Sequence, residues 1–281
     1  MKKLFLLLTF FCALTLIAAP AKKAGTVKKA PRELTAAEKE ANAAQARAYF
    51  ARVQAELKKD PGYMKRATTP RKGSSVHNKR IAEKMKQAKA LKEKVKILFL
   101  GDSITHGWEW NKDARKLFKE NFAPYNTLNL GCNGDRTEYT LWFVEKSGIL
   151  DHIRPQLVVM MIGTNNLSRS YSPEAVARAI GMIKENLRKR YPEAKILLYG
   201  IFPREADPAH PLRLLIARTN EIIASYADNK QVFYEDIGPY MLNRHAHLHR
   251  SMMGDLLHPK LPGYVIWKDS IMKYVKKYVK K

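Results

Sequence analysis

One serine, one histidine and one carboxylate in this chain stand where acyl transfer would need them. The segment ILFLGDSITHGW, residues 97–108, sets four apolar residues directly before Gly101, Asp102 and Ser103. A strand that stops at a small turn mounts the next side chain on a rigid support, where a nucleophile can be presented. A serine hydroxyl becomes a nucleophile only if a base takes its proton and a third group orients that base. Asp255 and His258, in GDLLHPKLPGY, are three residues apart. In one helical or turn-like coil the carboxylate reaches the nearer imidazole nitrogen and leaves the other free to face Ser103. Pro259 ends that coil and stiffens the loop. The same spacing also occurs in plain surface turns, so it acquires meaning only beside the other residues.

Attack on an ester carbonyl builds an oxyanion, which needs hydrogen-bond donors. Gly134, in GCNGDRT, has a backbone N–H that no side chain shields. Asn165, in MIGTNN, carries an amide at the exit of a very apolar run. The N–H of Ser103 itself supplies a third donor. Beside these, Asp102, His106, Asn133 and Asn166 are expected to line the substrate site, with Asp102 also placed to hydrogen-bond its own turn. Trp108 and Trp110 flank Glu109 and could either pack or meet a sugar face or acyl chain. His245, His247 and His249 alternate in RHAHLHR, but no carboxylate stands at ligand spacing, so a solvated loop is the better reading than a zinc site.

These residues must be held by something, and the pattern between them alternates. Strand-like runs fall at 95–100, 127–130, 157–162, 196–201 and 232–234. Helical stretches fall near 78–91, 113–119, 136–146, 173–190 and 212–227. Strands that are continuously apolar, each followed by a helix, indicate a parallel sheet covered on both faces. In such sheets ligands bind beyond the carboxyl ends of the strands, where Ser103, Gly134 and Asn165 all lie. The Gly-x-Ser-x-Gly elbow of α/β-hydrolases, a glycine-rich phosphate loop and a Cys-x-x-Cys pair are all missing from the sequence.

The chain of 281 residues carries a formal net charge of +25, which would suggest nucleic acid if it were evenly spread. Residues 1–96 hold 24 Lys and Arg against 7 Asp and Glu, and residues 268–281 hold 6 against 1; residues 97–267 are nearly balanced, 21 against 18. The excess on the ends suits a body of ordinary charge whose arms touch anionic polymers or a membrane surface, with no specific nucleic-acid contact expected. MKKLFLLLTFFCALTLIAAPAKK reads as a signal peptide over 1–21, with cleavage after Ala21; an uncleaved anchor is the alternative. The expected localisation is therefore periplasmic or secreted. Residues 22–74 read as a basic linker and an alanine-rich helical extension, with a capping box at Thr35 and Glu38. The catalytic domain is expected over 75–281, ending in a basic helix. Removal of the leader takes Cys12 with it and leaves Cys132 without a disulfide partner, as a buried thiol.

The ordered blocks GDS, GCNGD, GTNN and DLLH resemble the SGNH or GDSL hydrolases, over roughly residues 75–275. The longer strings around NLG-x-NGDRT and MIGTNN are similar to the branch of platelet-activating-factor acetylhydrolase catalytic subunits. The resemblance implies a flavodoxin-like three-layer α/β/α fold with a five-stranded parallel sheet. It further implies esterase chemistry with no metal or other cofactor, Ser103 as nucleophile with His258 and Asp255, and an oxyanion hole of Ser103, Gly134 and Asn165. Asn133 stands where relatives often have glycine; asparagine tolerates left-handed backbone angles, so little disturbance of the Gly134 amide is expected. The expected substrates are short acyl esters, acetyl above all, on a carbohydrate, with an acetylated phospholipid or a lysophospholipid as the nearest alternative. A reading of another class, a basic binding module on a hydrolase scaffold, is weighed down by the intact Ser103, Asp255 and His258.

Overall fold

Five short strands, three of them buried along their whole length, build the centre of the molecule. The computed structural model describes residues 62–73 and 75–280. The leader, the linker and the alanine-rich helix expected over 35–57 lie outside the described residues. Strands β1 (Ile97–Gly101), β2 (Leu128–Asn129), β3 (Leu157–Met161), β4 (Lys195–Tyr199) and β5 (Val232–Glu235) form one parallel sheet in the order β2-β1-β3-β4-β5. The order reverses between β1 and β3, which opens a crevice beyond their carboxyl ends.

The pleat sends alternate side chains to two different cores. Leu98, Leu100, Val158, Met160, Ile196 and Leu198 join one, packed with α5 (Thr137–Lys146), α7 (Pro173–Arg190) and α8 (Pro211–Ala224). Ile97, Phe99, Val159, Met161, Leu197 and Tyr199 join the other, packed with α3 (Ser103–Trp110), α4 (Lys112–Asn121) and α9 (Leu261–Tyr278). The second core is aromatic. Trp108 meets Phe122, Tyr264 and Trp267 with ring centroids 5.5, 4.6 and 5.4 Å apart, contacts worth about 0.5–1.5 kcal/mol each beyond their buried area. The remaining short helix after β3, α6, spans Thr164–Leu167.

Upstream of the sheet, α1 (Gly62–Thr68) and α2 (Ser75–Leu91) lie on the body. Ala67 is fully buried, Thr137 Oγ1 donates to its carbonyl at 3.2 Å, and Arg71 N donates to Glu138 O at 3.0 Å. Residues 62–73, read from sequence as part of the extension, thus pack against the catalytic body. Two helices follow Ser103, one that starts at that residue and carries His106 and one over the stretch expected near 113–119. Asp102 caps α3 through Ile104 N, and Asn111 caps α4 through Asp113 N and Ala114 N. No helix of the described residues is long and apolar enough to cross a membrane.

Candidate active site

Ser103 is the first residue of α3, directly beyond β1, and its support is tight. A Cβ on Gly101 would lie 2.2 Å from Thr105 Oγ1 and 2.3 Å from Met161 O, so only glycine lets β1 turn into the helix here. Asp102 accepts from Ile104 N at 3.0 Å and fixes the first turn. The Tyr264 hydroxyl donates to Ile104 O at 2.9 Å, tying α3 to α9.

The downstream partners arrive on a loop that holds its own shape. Asp255 Oδ1 accepts from Leu257 N at 3.0 Å and from His258 N at 2.7 Å, a side-chain-closed turn rather than a helix. Lys260 N donates to Met252 O at 2.8 Å and Glu205 N to Leu256 O at 3.0 Å, which pins the loop on both sides. The result is a continuous chain: Ser103 Oγ donates to His258 Nε2 at 2.8 Å, and His258 Nδ1 donates to Asp255 Oδ2 at 2.6 Å. Burial pushes the Asp255 carboxyl up, but the His258 N–H, the His258 ring and the Leu257 N–H outweigh it and hold the group at about 2. Asp255 therefore stays ionised beside the imidazole across the neutral range.

The expected oxyanion donors sit on two other strand exits. Gly134 is exposed at the tip of the loop after β2, with φ +75° and nothing within 4 Å of the place a Cβ would take. Asn165, in α6, donates from Nδ2 to Asp135 O at 2.9 Å, which joins its amide to that loop and leaves its second N–H. Cys132 N donates to Gly101 O at 3.1 Å, joining the loop to the end of β1. Among the described residues, the N–H groups of Ser103 and Gly134 have no protein acceptor. Three exits of the sheet are thus stitched together around Ser103.

The four residues expected to line the substrate divide in two. His106 and Asn133 face the surface and share a hydrogen bond of 2.9 Å from Nδ1 to Oδ1; burial, with the Arg80 charge adding to it, lowers the His106 pKa. Asp102 and Asn166 are both 0% exposed and offer a substrate no surface, which corrects the expectation for them. Asn166 instead accepts from Thr137 N and donates to Thr137 Oγ1 and Glu138 Oε2. Burial pushes Asp102 up to about 7, and its Oδ2 has no partner. The two tryptophans also part: Trp108 is core, whereas Trp110 is 48% exposed with its ring 6.2 Å from that of His258.

Sequence reasoning passed over a polar group behind the Gly134 loop. His77 in α2 is paired with the buried carboxylate of Asp135. The hydrogen bond to Asp135, then that to Cys132, raises His77 to about 10. Burial raises Asp135 to about 6 against the pull of His77. His77, Cys132 and Asp135 place one ligand atom each within 4.8 Å of one another, the one such grouping among the described residues. The alternating histidines form no such group: His245 accepts from Arg244, and His249 pairs with Asn243.

The family model described as GDSL-like lipase/acylhydrolase matches residues 99–266, a span that contains the Ser103 turn, the Gly134 loop, Asn165 and the Asp255–His258 turn. The chain belongs to the GDSL-like lipase/acylhydrolase family. This acylhydrolase is an ester hydrolase. It is 31% identical over 191 residues to the bovine platelet-activating factor acetylhydrolase IB subunit alpha1, covering 68% of this chain and 76% of the relative; the human counterpart is 30% identical. Among solved structures it resembles a GDSL-like lipase from Bacteroides thetaiotaomicron, with a TM-score of 0.56, 20% identity, and coverage of 72% of this chain and 97% of that one. It also resembles an acetylxylan esterase from Geobacillus stearothermophilus, with a TM-score of 0.52, 16% identity, and coverage of 65% and 94%. The shared fold is the five-stranded α/β sheet described above.

Proposed function

We propose that this acylhydrolase is an exported esterase that removes short acyl groups, acetyl above all, from carbohydrate through an acyl-enzyme on Ser103. The observation that carries the mechanism is the unbroken hydrogen-bond chain from Ser103 through His258 to Asp255, at 2.8 and 2.6 Å. His258 Nε2 takes the hydroxyl proton as Ser103 Oγ bonds to the ester carbon. Asp255 keeps the imidazole in the useful tautomer and stabilises the imidazolium. The carbonyl electron pair moves to oxygen, where the amides of Ser103 and Gly134 and the Asn165 side chain donate. Collapse of that intermediate breaks the bond to the alcohol, which leaves with the proton from His258. Water, deprotonated by the same nitrogen, then attacks the acyl-enzyme and releases the acid.

Several features support the substrate class. The relatives named acetylhydrolases and the acetylxylan esterase neighbour both point to an acetyl group. The exposed Trp110 beside His258 offers a flat apolar face of the kind that stacks on a sugar ring. The leader-like first 21 residues support action outside the cytoplasm. Exposed Lys273, Lys276, Lys277 and Lys280 at the end of the chain would hold the enzyme near anionic polymers or membrane surfaces. The names of the relatives also favour a second reading, release of acetyl from a phospholipid. Acetate release from acetylated xylo-oligosaccharides and from an acetylated phospholipid, measured side by side with wild type and Ser103→Ala, separates the two. The carbohydrate reading predicts a kcat/KM at least about tenfold higher on the glycan; the reverse order would move the assignment to lipid.

A further inference from the structure

Gly134 presents its amide from an exposed tip whose own side chain can anchor nothing. Besides the His106–Asn133 hydrogen bond, what holds the tip is a pair of residues three apart on α2, outside the segment matched by the family model. At the near end of the loop, Arg80 Nε donates to Gly131 O at 3.0 Å and its Nη2 donates to Asn129 O at 3.1 Å. At the far end, His77 pairs with Asp135, whose carbonyl accepts the Asn165 amide. Arg80 is 7% exposed and Asp135 2%. The third arm of the same guanidinium, Nη1, donates to Glu109 Oε2 at 2.6 Å, and Glu109 belongs to α3, the helix that starts at Ser103. One arginine thus spans the nucleophile's helix and the oxyanion loop, while one histidine closes the loop on the side of Asn165.

We infer that His77 and Arg80 are positioning residues that hold the Gly134 amide and the Asn165 side chain in register with Ser103, so that one turn of α2 supports the oxyanion hole. The inference rests on the reading of Gly134 and Asn165 as oxyanion donors. Main-chain bonds alone leave the tip with few anchors, Cys132 N to Gly101 O and Asp135 N to Cys132 O. Removing the side-chain clamps should leave Ser103, His258 and Asp255 in place, because those three are held by one another and by the Asp255 turn, and Glu109 of α3 keeps its bond from Lys84. Substrate would bind as before, and the tetrahedral intermediate would lose stabilisation, since displacement of a donor by about 1 Å costs on the order of a hundredfold.

The test uses the full chain with p-nitrophenyl acetate as substrate and a trifluoromethyl ketone that forms a tetrahedral adduct with serine. The variants are His77→Ala, His77→Gln, Arg80→Ala, Arg80→Lys and Ser103→Ala. Met85→Ala is the control: it lies on the same helix, is partly buried against the core, and bonds neither end of the loop. His77→Ala and Arg80→Ala are expected to lower kcat by about 10- to 100-fold with KM within about twofold, and to weaken the ketone by the same factor. Arg80→Lys and His77→Gln, each keeping one donor, should recover part of the loss, and they carry the test if an alanine variant does not fold. Met85→Ala should lower Tm without touching kcat. The inference is overturned if folded His77 and Arg80 variants match Met85→Ala, losing Tm but neither kcat nor ketone affinity. Ser103→Ala keeps the two readings apart: full activity there removes the serine mechanism itself, whereas an inactive Ser103→Ala beside active His77 and Arg80 variants removes only the positioning role.

Discussion

The two halves of the proposed site, a base side and an oxyanion side, are built in opposite ways. The base side, residues 255–258, is a self-closed turn: Asp255 accepts from two N–H groups within three residues of itself and from the ring of His258. The oxyanion side, residues 131–135, has a glycine tip and takes side-chain anchors from α2, far upstream in the chain, and from His106 of α3. A proton relay can be assembled from neighbours in sequence, because it needs one side chain to orient another. An oxyanion hole needs main-chain amides at fixed points, and a main chain is fixed by whatever packs behind it.

That contrast sets the order of expected effects. The largest belongs to the base side: Ser103→Ala or His258→Ala should cut kcat by about a millionfold, and Asp255→Asn by roughly ten-thousandfold, measured with p-nitrophenyl acetate. On the oxyanion side, Asn165→Ala should cost about a hundred- to a thousandfold in kcat with KM little changed. If Asn165→Ala costs as much as His258→Ala, the two halves are not separable in the way described here.

Smaller effects come from titration and show in stability. Asp255 has a folded pKa of about 2 against an ordinary 3.8, so its contribution is full above pH 4 and is lost as pH falls from about 4 to 2. Asp102 has the opposite sign. Its folded pKa is raised to about 7, so the folded state binds the proton more tightly than the unfolded chain, and stability falls as pH rises from about 4 to 7. Asp102→Asn should flatten the upper window, with Tm of the variant gaining on wild type between pH 4 and pH 8. Unchanged Tm differences over that range would mean that the buried carboxyl does not titrate as described.

How much of this was legible in the sequence follows the same division. The strands and the order of their exits could be read because a strand covered on both faces, as β1 and β3 are, must be apolar throughout. Asp255 and His258 could be read because their relation is local. The burial of Asn166 beside the expected donor Asn165 could not be read: adjacent residues of a helix differ by about 100°, enough to aim one amide at the Gly134 loop and bury the next under Thr137 and Glu138. Trp108 and Trp110 are separated by about 200° on α3 for the same reason, one in the core and one beside His258. His77 and Arg80 gave no signal at all, because a basic helix ahead of the first strand looks the same whether its charges meet water or a buried carbonyl. The burial of Asp102 was equally hidden, since an N-cap aspartate is usually exposed.

In the proposed mechanism Ser103 carries the acyl group between two chemical steps. Rapid mixing with p-nitrophenyl acetate, acid quench and peptide mass analysis tests it most directly. An acyl-enzyme on Ser103 gives a burst of p-nitrophenol together with an acetyl group on the Ser103 peptide, both abolished in Ser103→Ala. Turnover by wild type with the acetyl group on another residue, or turnover at the wild-type rate by Ser103→Ala, would contradict it.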